Sequence, residues 1–376
     1  MDKFKDFKAP KISVIVPIYN VAIYLPQALD SLCAQTMSEL EFICINDAST
    51  DKSLNILEEY AQKDKRFKII NNEKNVGPGE SRNNGLKIAK GEYIMFLDPD
   101  DWLENNACLD AYNKITQSQT DMCFFNFTYH FYDKNNEPRI RTAFRLETFE
   151  KVLNQERIKV EEIEGLTIRS ASVWTQIYNR NFLNKINAEF SNTRTCEDNP
   201  FFFNALCNAQ AISVLNKELY NYRLRKTNEK PYYIKHYKDV LKNKQIAYEF
   251  VLNSNKKNLI DMYIPYYWSS MAASHLKNLV KQDKRYSPRV FSELHKLAVT
   301  LNENHNIKEH KKRIDYKLYK IYLKSNSYLE YKIRYAIHWF VKRIFSTRAS
   351  RTHIITLLFG FKIKTRLKKH DKQKKQ

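Results

Sequence analysis

The sequence has little glycine, only six residues in 376, and it has no long apolar run. Its most continuous apolar stretch, Ile354-Ile355-Thr356-Leu357-Leu358-Phe359-Gly360-Phe361, is far short of the ~20 residues needed to cross a bilayer. With a negative mean hydropathy, this argues against an integral membrane protein. The opening segment MDKFKDFKAPK has neither an apolar run nor a small-residue cleavage site, so no signal peptide is expected. Cysteine pairs are missing too. Cys33, Cys44, Cys108, Cys123, Cys196 and Cys207 form no C-x-x-C motif and take no zinc-like spacing with histidine, and no H-E-x-x-H pattern occurs. These absences exclude the common zinc motifs and point to reduced thiols in a cytosolic protein.

Charge is plentiful but unevenly placed. The net is +21, yet residues 1–100 carry 13 Lys/Arg against 15 Asp/Glu, whereas residues 331–376 carry 14 Lys/Arg against one acid, Asp371. The basic excess is therefore largely a C-terminal property.

The first hundred residues alternate β-branched runs with segments of helical spacing. Ile12–Val16, Leu40–Ile45, Phe67–Ile70 and Tyr93–Leu97 read as strands. Leu25, Ala28, Leu29 and Leu32 recur at helical spacing, as do Leu54, Leu57 and Ala61 behind the capping-type residues Ser49, Thr50 and Asp51. Strands separated by helices give βαβ units, hence an α/β fold with a mostly parallel central sheet and flanking helices. Further strands are expected at Met122–Tyr129, Val173–Tyr178 and Ile212–Leu215, and beyond Arg225 the pattern becomes helical. Three regions follow: 1–225, 226–330 and a basic amphipathic tail, 331–376, whose last residues, 365–376, read as disordered.

In parallel sheets ligands bind at the carboxyl ends of strands, and each strand end here carries polar residues. They are Pro17-Ile18-Tyr19-Asn20, then Asn46-Asp47-Ala48-Ser49-Thr50-Asp51, then Asn71–Gly79 followed by Ser81-Arg82-Asn83, and finally Asp98-Pro99-Asp100-Asp101. Four of the six glycines, Gly77, Gly79, Gly85 and Gly91, fall within fifteen residues, which suggests a tight loop near a ligand or crowded packing. Asp98 and Asp100, two apart in an extended segment, point the same way. Two carboxylates on one side suit Mn2+ or Mg2+ with positions left for phosphate oxygens. Asp101 with Glu104 reads as a capping box. Taken singly, Tyr19, Asp47 and Arg82 have ordinary structural readings; their placement at successive strand ends favours a site.

The run from Ile12 to Asp101 resembles the family 2 glycosyltransferases. Ser13–Asn20 is similar to the family's opening strand. Asn46–Asp51 resembles its D-D-G-S-T-D turn, with Asn46 and Ala48 as departures. Asn75–Gly79 with Ser81-Arg82-Asn83 resembles its N-x-G-x-x-x-x-R-N segment, and Asp98–Asp101 its metal motif. Trp174–Tyr178, Glu197-Asp198 and Tyr220–Arg223 extend the likeness to about residue 225, with Gln176 where the family commonly has lysine. The resemblance implies a GT-A fold and an inverting, metal-dependent transfer from a nucleotide-sugar donor, UDP-linked, to a glycan or lipid-linked acceptor in bacterial surface-glycan synthesis. It implies that Pro17, Tyr19 and Asp47 contact the nucleoside, that Arg82 lies near the donor, that Asp98 and Asp100 serve donor and metal, and that Asp198 is the catalytic base. Such a base takes the proton of a poorly nucleophilic sugar hydroxyl, and inversion requires it on the face opposite the diphosphate, from a segment other than the metal motif. Glu197 is its nearest competitor, and a plain helix start over Asn199–Asn208 is the structural alternative. Rival functions are an inactive homologue, or a basic membrane- or nucleic-acid-binding protein on the same scaffold.

In the tail, Ile333, Ile337, Phe340 and Ile344 form an apolar stripe at helical spacing, with Trp339 nearby and Lys332, Arg334, Lys342 and Arg343 around it. That pattern suits either an ordinary surface helix packed on the domain or a helix on an anionic membrane surface. The lipid-linked acceptors implied by the resemblance favour the second, and with it a peripheral place on the inner face of the cytoplasmic membrane. No nucleic-acid-binding motif accompanies the charge, so no nucleic-acid partner is expected.

Overall fold

The computed structural model describes residues 9–132, 137–142, 155–162, 172–224, 236–269, 287–304, 320, 323–344, 347–349, 353–358 and 361–366. The chain divides into two compact units, Met1–Tyr267 and Trp268–Gln376.

The first unit opens with β1 (Ile12–Ile18), α1 (Leu25–Cys33), β2 (Leu40–Asn46), α2 (Ser53–Lys63), β3 (Phe67–Asn71), α3 (Pro78–Ile88) and β4 (Tyr93–Phe96). It continues with β5 (Trp102–Leu103), α4 (Ala107–Ser118), β6 (Met122–Tyr132), β7 (Pro138–Thr142), β8 (Gln176–Asn179), α5 (Arg180–Lys185), α6 (Asp198–Asn208) and β9 (Ile212–Arg223). Two helices follow, α7 (Tyr237–Asn253) and α8 (Lys257–Ser269).

The strand order is β3-β2-β1-β4-β8-β6-β9-β5, with β7 on β6. The β3-β2-β1-β4 half is parallel throughout. In the other half β6 runs parallel to β9, and the pairings of β8 and β5 are antiparallel. Every residue of β1 and β2 is buried. Central parallel strands are covered on both faces by helices, which is why their sequences read as continuous apolar runs rather than alternating ones. The strand order puts the carboxyl ends of β1, β2, β3 and β4 side by side.

Two local expectations change. Asp101 and Glu104 do not cap a helix. Trp102–Leu103 pairs with Tyr220–Asn221 as β5, and α4 starts only at Ala107, with Asn106 as its N-cap. The carboxylate of Asp101 instead accepts hydrogen bonds from Tyr220 Oη and from the Arg223 amide, both at 2.7 Å. Those partners lie far along the chain, where a local reading finds no signal. The eighth strand begins at Gln176 rather than Val173. Beyond Arg225 the first unit carries on because α7 packs on α6, burying Val240, Ala247, Tyr248 and Val251.

In the second unit, α9 (Ser287–Asn304) and α10 (Tyr328–Ile344) precede an antiparallel sheet of β10 (Thr347–Ala349), β11 (His353–Leu358) and β12 (Phe361–Arg366). This sheet lies within the stretch expected as the basic tail, while the described helices α7, α8 and α9 fall in the stretch expected to be helical. The tail stripe falls on α10, where Ile333 and Ile337 are exposed, 53% and 57%. The side chains of Trp339, Phe340, Lys342, Arg343 and Ile344 lie outside the described residues, as do the N-terminal residues 1–8 and the end of the chain from 367. Among the described residues no helix is long and apolar enough to cross a membrane.

Candidate active site

A cleft of about 460 Å³ opens at the ends of β1 to β4, a size suited to a small-molecule ligand. Its lining includes Pro17, Tyr19, Asp47, Arg82, Asp98 and Asp100, all named from the sequence alone. It also includes Arg194, Thr195 and Glu197 from the segment leading into α6.

The β2 turn holds the floor. Asp47 is 2% exposed and accepts the amides of Val76 and Gly77, each at 2.8 Å, on its two carboxylate oxygens. Asn72 Nδ2 adds a third bond at 2.9 Å. Asp47 thus fixes the loop before α3 rather than capping the α2 helix. Asp51 and Asn20 tie the same turn to the residues after β1, through the amides of Ala22 and Thr50. Ala48 adopts φ +55°, a left-handed conformation that costs an L-residue energy and glycine nothing. That explains the glycine at this place in the D-D-G-S-T-D turn.

The glycine cluster proves to be both a tight loop and crowded packing. Gly77 has φ +93°, and a Cβ on Gly79 would stand 2.4 Å from the Ser191 carbonyl oxygen and 3.0 Å from Glu197 Cγ. The absence of that side chain lets α3 approach the 191–197 segment closely enough for Arg82 to cross between them.

Arg82 is the electrostatic centre. Its guanidinium is 5% exposed and donates to Asp98 Oδ1 through Nη2 and to Glu197 Oε1 through Nη1, both at 2.7 Å. It lies over the Phe190 ring, 5.3 Å from the centroid. The carboxylates of Asp98 and Glu197 hold it firmly protonated despite its burial. Its Nε is buried without a partner among the described residues.

Asp198 starts α6 and is partly exposed, but it is not among the lining residues; Glu197, just before it, is. The side chain of Glu197 makes no capping bond and turns to Arg82. Asp198 accepts a 2.9 Å bond from Asn199 Nδ2 on Oδ1. Burial pushes the carboxyls of both Glu197 and Asp198 above the usual range, although Arg82 opposes this in each case and Lys244 does so for Asp198. A raised carboxyl is a stronger proton acceptor than a solvated one once ionised. Gln176 is fully buried, accepting from Tyr178 Oη at 3.0 Å, and is not a lining residue.

Arg194 was missed by the sequence reading. Its guanidinium bonds the side chain and carbonyl of Asn75, and its amide donates to Asp239 at 2.9 Å. A lone arginine in an irregular segment gives no periodic or motif signal, so only the fold reveals it.

Residues 13–185 match the family model for glycosyl transferase family 2. This part of the chain is similar to that family. A putative glycosyltransferase EpsH of Bacillus subtilis is 34% identical over 220 residues, 58% of this chain and 62% of that protein. The poly(ribitol-phosphate) beta-N-acetylglucosaminyltransferase TarS of Staphylococcus aureus is 32% identical over 223 residues, 58% of this chain and 36% of TarS. The match thus spans less than two thirds of either relative. Residues 1–349 of TarS, solved in complex with UDP-GlcNAc, superpose with a TM-score of 0.68 at 21% identity, covering 94% of this chain and 98% of that one. This likeness shows the same fold as TarS, the GT-A type expected from the motifs.

Asp98 and Asp100 lie in a turn closed by the Asp101 amide on the Asp98 carbonyl at 3.1 Å, not in the extended segment expected, yet both line the cleft and could hold Mn2+ or Mg2+. Among the described residues no group of three or more His, Cys, Asp or Glu side chains forms a complete metal cage. A pair of carboxylates facing an open cleft nevertheless fits a hard cation that takes its remaining ligands from substrate phosphate and water.

Proposed function

We propose that the chain is an inverting, metal-dependent glycosyltransferase. It moves a sugar from a nucleotide diphosphate donor, UDP-linked, to a hydroxyl of a glycan or lipid-linked acceptor in bacterial surface-polysaccharide synthesis. The observation that carries this reading is the joint lining of one cleft by Pro17, Tyr19, Asp47, Asp98, Asp100 and Glu197. The family match and the UDP-GlcNAc held by the TarS structure support it.

In this mechanism Pro17 and Tyr19 receive the nucleoside against the loop that Asp47 orders. Arg194 and Arg82 bring positive charge to the donor diphosphate, and Arg82 also keeps Asp98 aligned. Asp98 and Asp100 would hold the divalent cation, which would supply positive charge to offset that building on the departing diphosphate. Asp198 takes the proton from the acceptor hydroxyl as its oxygen bonds to the anomeric carbon. The bond to the diphosphate breaks on the opposite face, so the anomeric configuration inverts. Glu197 is less suited to this task because Arg82 occupies its carboxylate.

The test is turnover of a panel of UDP-, GDP- and dTDP-sugars with Mn2+ and with excess EDTA. Transfer or donor hydrolysis that is lost on chelation, and lost in a folded Asp100→Ala variant, is the expected result. Full activity in EDTA overturns the metal assignment, and no turnover of any sugar favours an inactive homologue.

The same reading places the protein at the inner face of the cytoplasmic membrane. Leu329, Ile333 and Ile337 recur along α10 at 67%, 53% and 57% exposure, beside exposed Lys332 and Arg334. An apolar stripe flanked by cations suits an anionic lipid surface. Co-sedimentation with phosphatidylglycerol vesicles, lost on deleting 331–376 and weakened by salt, is expected. Equal sedimentation of the truncated chain counts against it.

A further inference from the structure

Three side chains of α7 reach the segment that carries Asp198. Asp239 accepts the Arg194 amide at 2.9 Å. Asn243 Nδ2 donates to Thr193 Oγ1 at 2.6 Å and to the Thr195 carbonyl at 2.9 Å. Lys244, buried at 3% exposure, donates from Nζ to Asn199 Oδ1 at 2.5 Å. Asn199, itself buried, then donates from Nδ2 to Asp198 Oδ1 at 2.9 Å.

The order of these contacts matters. An ammonium can only donate, and an ionised carboxylate can only accept. Asn199 lies between the two, so its amide has one satisfactory orientation, with the carbonyl toward Lys244 and the NH2 toward Asp198. Burying an ammonium is costly unless negative charge or acceptors compensate it, and Asp198 is the carboxylate at the far end of this chain of bonds.

We propose that Lys244 is a positioning residue for Asp198: through Asn199 it fixes the rotamer of that carboxylate and favours its ionised form. The inference rests on the reading of Asp198 as the base. The charged and titratable groups facing Asp198 are Arg82 from α3, Lys244 from α7, Asp98 after β4, Tyr178 of β8, and Cys196 and Glu197 on its own segment. Arg82 serves Asp98 and Glu197 directly, whereas Lys244 reaches Asp198 through Asn199. Its place is also instructive: α7 lies beyond residues 13–185, the span of the family match.

The test is a pH titration of the full chain carrying carbon-13 at the aspartate carboxyls, with the Asp198 signal assigned by its disappearance in Asp198→Asn. Steady-state hydrolysis of UDP-GlcNAc, UDP-glucose and GDP-mannose is run beside it. Lys244→Met should raise the Asp198 midpoint by about one pH unit. Because Asp198 must be ionised to accept a proton, the acid limb of kcat moves up by the same amount, and kcat at neutral pH falls about tenfold with KM held within about twofold. A Lys244→Met protein that melts cooperatively and keeps the parent Asp198 midpoint overturns the proposal. If Lys244→Met does not melt cooperatively, Asn199→Leu, which removes the amide between the two charges, is read in its place with the same two outcomes. Asp198→Asn turning over at the parent rate overturns the base reading instead. That result is separable, since the carboxyl titration needs no donor and reports on Lys244 alone.

Discussion

The strand-end wall of the cleft and the wall formed by residues 194–197 are held in different ways. The strand-end wall is locked by its own neighbourhood: Asp47 accepts the amides of Val76 and Gly77, Asn20 accepts that of Thr50, and the backbones run straight out of a parallel sheet. The other wall has no regular structure before Asp198. Borrowed side chains hold it: Asn83 bonds both the amide and the carbonyl of Phe190, Arg82 bonds Glu197, and Asp239 and Asn243 grip the stretch between. The difference teaches that the donor side of such a site can be carried by a short contiguous motif set. The base side depends on distant elements that must first assemble.

The largest way to break this contrast is to remove Arg82, which joins the walls through Asp98 and Glu197. Arg82→Met leaves Asp98 and Glu197 without their cation, and breaking a buried ion pair costs about 3–5 kcal/mol. Urea unfolding should show a loss of that order, with turnover abolished. An unchanged midpoint would mean that the walls stand independently.

Next in size is Asp198→Asn, which keeps shape and removes the proton acceptor. Turnover should fall by about 10²–10⁴-fold with nearly unchanged donor binding, since general-base catalysis is worth that much. A lowered melting temperature with near-parent turnover would instead mark Asp198 as a helix-start residue.

Gly79→Ala probes how closely the walls must approach. Its Cβ would meet the Ser191 carbonyl at 2.4 Å, a backbone atom that cannot step aside cheaply, and overpacking typically costs about 1–3 kcal/mol. Thermal melting should register the loss; a parent-like melting temperature would show that the 191–197 segment yields.

Smaller still is a pH effect. Burial and the neighbouring Asp198 raise the Glu197 carboxyl above its ordinary value, with Arg82 opposing. A carboxyl that binds its proton more tightly in the folded state contributes stability that is full at low pH and is lost as pH rises through the folded pKa. Stability should therefore decline from the ordinary carboxylate range upward, and Glu197→Gln should make that decline shallower. Urea midpoints measured from about pH 4 to 7 decide it, and identical slopes in the two proteins would refute the shift.

The smallest expected change sharpens the strand-end side. Ala48→Gly relieves a left-handed alanine, whose cost is roughly 1–2 kcal/mol, partly cancelled by the greater freedom of glycine in the unfolded chain. A stability gain below about 1 kcal/mol with unchanged turnover is expected in denaturant titration; a loss would mean that the Ala48 methyl makes a contact worth more than the strain.

The sequence by itself determined the four parallel strands, the helices between them, and the polar residues at their carboxyl ends. These are local properties: a β-branched run, a turn and a helical spacing each lie within a short window, and βαβ connectivity then puts strand ends on one edge. Asp98 and Asp100 were legible for this reason, as were Tyr19 and Asp47. Tertiary structure alone decided that Asp101 braces Tyr220 and Arg223 instead of capping a helix, and that Arg82 bonds Glu197 across a sequence separation of 115 residues. It alone placed Arg194 in the cleft and Lys244 behind Asn199. Such pairs leave no trace in a local pattern, because the order of strands in the sheet and the packing of α7 on α6 bring together residues whose own neighbourhoods read as ordinary helix or loop.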